Sequence, residues 1–323
     1  MTAVRSLLTL DGKLSRPSPE EVRALGGRKP EAPYWLDIQD PAEEDYRLLL
    51  DDYRFHPLSV EDVRTRNQRP KLDAFPGYLF MVLFTAERRP HDQLAVQEHH
   101  LFLAHDAFVT VHWGPAPSLD ELRKRLAADP TLTRADPIFL HYLVVNALVE
   151  SLFPVLDRVD ERIDALEDTI VERPARDTIE HITTVRHAVT DLRRILSAQR
   201  DLFQKLLTHS KDSSQGEMTI YWRDVYDNLI RQYEQVDSLR DLLSGAMDLY
   251  LSDASNRLGV TTKQLTVIAS LFLPLSFLTG FFGMNFGFLV NHIGGPEAFA
   301  LGLILMALCT AIQLYVFRVR GWI

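Results

Sequence analysis

Apolar residues are unevenly spaced along this chain, and their spacing predicts different elements in successive stretches. Short runs rich in β-branched and aromatic residues, bounded by polar or proline-containing turns, predict strands at "PYWLDIQ", "YLFMVLFTAE", "HHLFLAHD" and "AFVTVHW". Helical spacing appears in "DPAEEDYRLLLDDYRF" and "SVEDVRTR", which open on Asp and Ser as potential caps, and in "SLDELRKRLAAD". Residues 1–136 are therefore predicted to form a mixed domain of strands and helices.

The pattern becomes helical from about Pro137. Apolar residues recur at every third or fourth position from Leu152 to Ile170 and mark one face of a helix. Pro174 breaks this helix, and a second helix is predicted from there to about His209.

A third helix is predicted to begin near Tyr221 and to continue without a break to Phe282. It would exceed 60 residues and span roughly 90 Å at 1.5 Å per residue. A helix of that length with one apolar face needs neighbours, and self-association into a bundle supplies them most simply.

Two apolar runs close the sequence, at about 265–283 and about 298–317, joined by a polar loop at 284–297. Each run suits a helix that crosses about 30 Å of hydrocarbon. A buried pair of core helices is the alternative, and it fits two runs joined by a short loop less well. We predict a helical stalk over 137–263 and a membrane hairpin with a basic tail over 264–323.

Charged residues around the two runs predict their orientation. Arg257 and Lys263 precede the first run, Arg318 and Arg320 follow the second, and the loop contains neither Lys nor Arg. The positive-inside rule then places both termini in the cytoplasm and the loop outside, with the hairpin in the lipid of the cell's inner membrane. Pro274 lies within the first run and removes one backbone hydrogen bond, so a kink or a packed neighbour must compensate.

The candidate chemistry is sparse outside the membrane runs. The single cysteine, Cys309, excludes an intrachain disulfide. We find no glycine-rich phosphate loop, nucleophile elbow or HExxH motif, so we expect no enzyme, no resident cofactor and no nucleic-acid partner. His99 and His100 suggest a metal site only weakly, because neighbours on a strand point to opposite faces.

An acidic stripe runs along the first stalk helix and comprises Asp157, Glu161, Asp164 and Asp168. It either attracts cations diffusely or is an ordinary solvated face.

Five segments in order resemble one family. They are "FHPLSVEDVRTRNQRPKLDAFPGYLFMVL", "IDALEDTIVERP", "YWRDVYDNLIRQYEQVDSLRDLLSGAMDLYLSDASNRL", "LFLPLSFLTGFFGMNFG" and the short basic tail. With them the chain resembles the CorA-type divalent metal channels, which import magnesium. The resemblance implies an α+β cytoplasmic domain, a long α-helical stalk and two C-terminal transmembrane helices, assembled as a funnel-shaped homopentamer whose first membrane helix lines the pore.

By this resemblance, Gly283, Met284 and Asn285 form a selectivity filter at the external mouth. Five Asn285 amides would present a ring of carbonyl oxygens that accepts hydrogen bonds from the hydration water of Mg²⁺, an ion that dehydrates reluctantly. A carboxylate ring would bind the ion more strongly and slow its release. Gly283 would let the backbone turn without a Cβ atom. Taken alone, the triplet also fits an ordinary helix end.

The resemblance also assigns pore-facing positions below the filter, whose steps of three and four place them on one stripe. They are Thr262, Leu265, Ala269, Leu273, Ser276 and Gly280. Leu265 and Leu273 would form apolar rings that gate the pore by dewetting. Ser276 would offer a polar contact to the passing ion. Helix packing alone is the alternative for Ser276, Thr279 and Gly280.

The family closes when cytoplasmic Mg²⁺ binds acidic residues between neighbouring subunits. Asp224 matches the stalk acid of that site, and Glu87 and Asp92 in "AERRPHDQ" are candidates for its partner on the next subunit. That hairpin is more basic than the family usually shows, and Asp224 as a solvated stalk residue is the alternative.

The external loop departs from the family, because it holds one acidic residue, Glu297, and one histidine, His292. His292 would favour a softer ion such as Co²⁺, Ni²⁺ or Zn²⁺. The zinc-transporting branch typically lacks the methionine of the triplet, which Met284 retains, so a passive Mg²⁺ channel is the first hypothesis. A transition-metal transporter and a membrane-anchored sensor or scaffold without transport are the alternatives.

Overall fold

A computed structural model describes residues 3–26, 33–88, 94–104, 107–133, 136–172, 177–210, 216–284, 287, 291 and 295–322. The chain divides into two units, Met1–Met247 and Asp248–Ile323. The boundary between the two units falls inside the long helix, and the three-part division at 136/137 and 263/264 stays a prediction.

One seven-stranded sheet lies in the first unit, with the order β2-β1-β3-β7-β6-β5-β4. The strands are β1 (Val4–Thr9), β2 (Leu14–Ser15), β3 (Tyr34–Gln39), β4 (Lys71–Phe75), β5 (Tyr78–Arg88), β6 (Leu94–Ala104) and β7 (Ala107–His112). Only the β3–β7 pair is parallel among the pairs in the described part of the chain. The four predicted strands are confirmed as β3, β5, β6 and β7, and they lie next to one another in the sheet in the order β3-β7-β6-β5.

Nine helices lie among the described residues. They are α1 (Pro19–Gly26), α2 (Glu43–Arg47), α3 (Pro57–Thr65), α4 (Pro117–Ala128), α5 (Pro137–Glu150), α6 (Phe153–Glu172), α7 (Thr178–Ser210), α8 (Gly216–Phe282) and α9 (Pro296–Val319). A π-helical turn, Leu48–Asp52, follows α2, and a 3-10 turn, Pro130–Thr133, follows α4.

The predicted Asp and Ser caps are wrong for two of these helices. Helix α2 begins after Ala42. Helix α3 begins after His56, whose ring accepts a hydrogen bond from the backbone of Leu58, with Pro57 at its first position. Proline suits that position because its missing N–H has no helical acceptor there.

The long helix is confirmed, since α8 runs for 67 residues from Gly216 to Phe282. Its amino-terminal half packs in the first unit, where Gln232 donates a 2.7 Å hydrogen bond to the carbonyl of Val149 on α5. The predicted apolar face of α6 is buried as well. The α+β first part, the long helix and the two apolar C-terminal helices are therefore as predicted.

Three helical stretches of the described chain are long and apolar enough to cross a membrane: Pro137–Glu172, Thr219–Phe282 and Pro296–Val319. Half of the apolar window of the first is buried inside the protein, whereas none of the other two windows is. The first is therefore a core element of its unit. The alternative of a buried pair of core helices does not hold for the two C-terminal runs.

A charged network is buried between the sheet and α4. The carboxylate of Asp37 on β3 contacts the guanidinium of Arg123, the hydroxyl of Thr110 and, at 3.3 Å, Nε2 of His112. Trp35 donates a 2.9 Å hydrogen bond to the same threonine hydroxyl. Burial raises the pKa of Asp37, but the charges of His112 and Arg123 lower it by more. Asp37 is thus held as a carboxylate.

Stability is expected to fall as the pH rises above about 6.5, because the folded protein keeps the proton on His112 beyond the unfolded-state pKa and then loses it. Burial lowers the pKa of His112, but the Asp37 carboxylate raises it by more, so the net shift is upward. A raised folded-state pKa stabilises the fold fully below the unfolded value of about 6.5, and this contribution is lost as the pH rises through the folded value. The pKa of His99 is lowered by burial, so it is already neutral.

Chemical unfolding of the full-length protein in detergent, measured at increasing pH from about 6.5 upwards, tests the prediction. The unfolding midpoint should fall more steeply with pH for the wild type than for His112→Gln. Equal slopes for the two proteins would contradict the role given to His112.

Candidate ion pathway and cytoplasmic cation site

The two apolar helices of the second unit form a hairpin. Nζ of Lys263, where the first apolar run begins, donates a 2.8 Å hydrogen bond to the carbonyl of Gly321, just beyond the second run. In mid-run, Nε2 of Gln313 on α9 donates a 2.9 Å hydrogen bond to the carbonyl of Ser270 on α8. The start of one run and the end of the other therefore lie side by side, as a hairpin requires.

One face of α8 packs against α9, and a different face carries the predicted pore residues. From Lys263 onwards, the half-buried residues of α8 recur at steps of one to four and are Lys263, Val267, Ser270, Leu271, Pro274, Leu275 and Leu278. The six predicted pore-lining positions, Thr262, Leu265, Ala269, Leu273, Ser276 and Gly280, are all exposed. Leu265 is 62% exposed and Leu273 is 71% exposed. The single chain leaves this stripe uncovered.

Helix α8 ends where the triplet begins. Gly283 forms a turn after Phe282, with its N–H bonded to the carbonyl of Thr279 at 3.0 Å, and Met284 is 40% exposed. Gly283 does not have a left-handed backbone, but a Cβ atom at this position would lie 3.1 Å from the Thr279 carbonyl oxygen. The close approach of the Thr279 carbonyl oxygen therefore favours glycine at position 283. Asn285 lies outside the described residues.

Of the two singled-out loop residues, the structure describes only one. Glu297 lies in the exposed first turn of α9, after Pro296 at the first helical position. A carboxylate is favoured at this end by the helix dipole. His292 lies outside the described residues, so its interpretation as a ligand for softer ions stays a prediction.

Asp224 lies exposed on α8 and is oriented by α5. The hydroxyl of Tyr142 donates a 2.8 Å hydrogen bond to its carboxylate. Tyr142 is held in turn by the rings of Phe139 and Tyr221. Burial and this hydrogen bond raise the pKa of Tyr142, which keeps its proton available for donation. The second carboxylate oxygen and the lone pairs that face solvent remain open to a cation.

Glu87 lies in different surroundings from Asp224. It is half-buried on β5, in the wall of a cavity of about 1160 Å³ that Trp113 and Arg194 also line. Burial raises its pKa, and the positive charge of His112 opposes that shift. Asp92 lies outside the described residues. No cluster of three or more His, Cys, Asp or Glu able to hold a metal occurs in the described part of one chain, so the predicted site between subunits stays a prediction.

The two neighbouring histidines lie buried on opposite sides of β6. Nε2 of His99 lies 2.9 Å from the hydroxyl of Thr85, and its ring contacts His112. The ring of His100 packs against Phe80 and Trp113. Their surroundings are those of core residues.

The acidic stripe of α6 is exposed at all four predicted positions. One of its members, Asp157, accepts a 3.0 Å hydrogen bond from Gln235 and so joins α6 to α8.

Sequence reasoning missed Gln313. The signal was present, because Pro274 leaves a carbonyl without a donor, and Gln313 is the single amide side chain in the second apolar run. The pattern does not say which partner the amide finds, since that depends on how the two helices pack.

Comparison with known proteins places this arrangement in a family. The family model described as CorA-like Mg²⁺ transporter protein matches residues 30–318. The Bacillus subtilis protein YfjQ is 32% identical over 90% of this chain and 89% of its own length. The cobalt/magnesium transport protein CorA of Thermotoga maritima is 30% identical over 92% of this chain and 85% of its own. The solved CorA magnesium transporter of Methanocaldococcus jannaschii superposes with a TM-score of 0.83 at 19% identity, covering 100% of this chain and 99% of that one. The chain belongs to the CorA-like Mg²⁺ transporter family.

Proposed function

We propose that this chain is one subunit of a homopentameric channel that passes Mg²⁺ passively into the cytoplasm. It would lie in the cell's inner membrane with both termini inside. Asn285 would select the hydrated ion at the external mouth, and cytoplasmic Mg²⁺ would close the channel. Co²⁺ and Ni²⁺, which share a preference for octahedral hydration, would be additional cargo.

The uncovered stripe of α8 is the observation that supports this proposal most. All six of its residues are exposed, while a different face of the same helix packs against α9. The stripe contains small, hydroxylated and apolar residues. This mixture suits a pore in which hydrated and dewetted levels alternate along the axis. Two helices cannot enclose a pore, so this face needs several copies of the chain to surround one.

The membrane potential supplies the driving force without nucleotide hydrolysis. A divalent ion gains about 4.6 kcal/mol per 100 mV, twice the value for a single charge. Arg257 and Lys263 before α8 crosses the membrane, and Arg318 and Arg320 after α9 does, support cytoplasmic termini. An inside-negative potential then draws the cation towards the stalk.

Ion flux into liposomes that contain the purified full-length protein tests the proposal. Mg²⁺ entry should follow an inside-negative potential, and Asn285→Ala should change its rate and its preference over Zn²⁺, because the amide ring is lost. Asn291→Ala, an amide of the same external loop outside the triplet, is the matched control and should keep the wild-type rate.

Two outcomes would contradict it. Zn²⁺ flux with little Mg²⁺ flux would move the chain to the transition-metal function. No flux of either ion would favour a membrane-anchored sensor or scaffold.

Regulation is proposed to act through Asp224, whose carboxylate is exposed and oriented by Tyr142. Asp224→Lys would place a positive charge where the regulatory ion binds. Liposomes loaded with high internal Mg²⁺ should then keep conducting, whereas the wild type closes. Asp227→Lys, an exposed change of the same charge one turn further on, controls for charge alone. Unchanged inhibition in Asp224→Lys would overturn this role.

A further inference from the structure

Pro274 leaves one backbone carbonyl of α8 without a helical donor. In an α-helix each N–H bonds to the carbonyl four residues earlier, and proline has no N–H. The carbonyl that loses its partner is therefore that of Ser270. It lies within the apolar run, where no water replaces the missing donor and an unpaired carbonyl is costly.

Gln313 of α9 supplies the missing donor. Its Nε2 lies 2.9 Å from the carbonyl oxygen of Ser270. The contact belongs to the packed surface of the hairpin, where the half-buried residues of α9 are Ala298, Gly302, Met306, Cys309, Thr310, Gln313 and Phe317. Helix α8 remains continuous through Pro274. The side chain of one helix thus completes the backbone of the other.

The amide of Gln313 is satisfied on one side only. Its Oε1 is buried and has no hydrogen-bond partner among the described residues. A glutamine kept in an apolar helix for packing alone would bury both polar ends at a cost. The bond from Nε2 to Ser270 gives a specific physical reason for a polar residue at this position.

The completed turn carries one of the two predicted apolar levels of the pathway, Leu273. Leu273 directly precedes Pro274, and Ala269 directly precedes Ser270. Both belong to the exposed stripe of α8. Because the turn between them lacks its own hydrogen bond, its position depends on the neighbouring helix.

We propose that Gln313 is a positioning residue that holds the proline-interrupted turn of α8 and thereby sets the apolar constriction at Leu273. The bond itself stands independently, whereas its effect on the constriction rests on the proposed channel function. Without Gln313 the carbonyl oxygen of Ser270 has no hydrogen-bond donor from the protein. The turn then shifts until a water molecule donates to this oxygen. Water at this level weakens a dewetted barrier, so conduction rises.

A double-mutant cycle on the full-length protein tests the proposal, with the wild type, Gln313→Met, Pro274→Ala and the double variant. Methionine keeps the length and flexibility of glutamine but has no amide. Alanine at 274 restores the backbone N–H, so the Ser270 carbonyl regains its helical donor. Thr310→Val is the matched control, because the Thr310 hydroxyl donates to the carbonyl of Met306 in its own helix.

Gln313→Met is expected to lower the thermal unfolding temperature in detergent and to raise Mg²⁺ flux in liposomes several-fold. In the Pro274→Ala background the same change should neither lower the unfolding temperature nor raise the flux, since the carbonyl no longer needs the amide. Thr310→Val should leave both near the wild-type values.

Equal effects of Gln313→Met in the two backgrounds would reduce Gln313 to a packing residue and overturn the proposal. So would the absence of any effect in the wild-type background. If the wild type conducts neither Mg²⁺ nor Zn²⁺, the channel function fails, and the unfolding temperatures still decide whether the bond to Ser270 exists.

Discussion

Arg123→Ala is expected to lower the free energy of unfolding of the amino-terminal unit by about 3–5 kcal/mol, because it leaves a buried charge without its partner. Asp37 is 2% exposed and Arg123 is 7% exposed, so neither charge is screened by solvent. The carboxylate would keep only its contacts with Thr110 and His112. Arg123 also lies over the ring of Trp35, so tryptophan fluorescence during chemical unfolding reports on this site.

A second arginine of the same helix provides the control. Arg125 is exposed on α4, two residues further on. Its replacement by Ala should change the free energy of unfolding by less than about 0.5 kcal/mol, as is usual for a surface position. If Arg123→Ala costs no more than Arg125→Ala, the buried network does not stabilise the fold as described.

Leu273→Asn is expected to raise Mg²⁺ flux through the proposed channel by about tenfold or more, which corresponds to about 1.4 kcal/mol of barrier. Leu273 is 71% exposed on the uncovered stripe of α8. In a ring of copies its apolar side chains would exclude water, and amides in their place would keep the level wet. The variant should also close less completely at high internal Mg²⁺. Flux into liposomes at a fixed potential, with low and then high internal Mg²⁺, measures both effects.

Ile268→Asn tests whether the face of the helix matters. Ile268 matches leucine in size, is 54% exposed and lies five residues earlier. At about 100° per residue it is displaced from Leu273 by about 140° around the helix, so it is off the stripe. Its replacement should leave flux close to that of the wild type. Equal increases in flux from both variants would show that any polar group in this run perturbs the protein. The assignment of the stripe to the pore lining would then be wrong.

The strands that the sequence did not predict are β1, β2 and β4. Two of them, β2 and β4, form the edges of the sheet, where exposed residues blur the alternation of apolar and polar positions. An edge strand forms because its neighbour offers unpaired backbone groups, and this is a property of the sheet rather than of the segment. Helix α1 was missed despite a local signal, the capping box in which Ser18 and Glu21 exchange hydrogen bonds.

The positions of the filter and the pore stripe came from the resemblance to a family. The structure adds the environment of Asp224, which is oriented by Tyr142 from 82 residues away. It also adds the surroundings of Gly283, where a Cβ atom would lie 3.1 Å from the carbonyl oxygen of Thr279.

By itself the sequence determined the central strands, the long helix with its amphipathic faces and the two apolar runs. These features depend on periodicity and hydropathy, which are properties of residues close together in the chain. The tertiary structure decided which distant polar groups meet. Asp37 finds Arg123 and His112 across 86 and 75 residues, and Gln313 finds the Ser270 carbonyl across 43. An unpaired buried polar group is costly, so the sequence indicates that a partner is needed, but only the packing of helices and sheet brings one within hydrogen-bond distance.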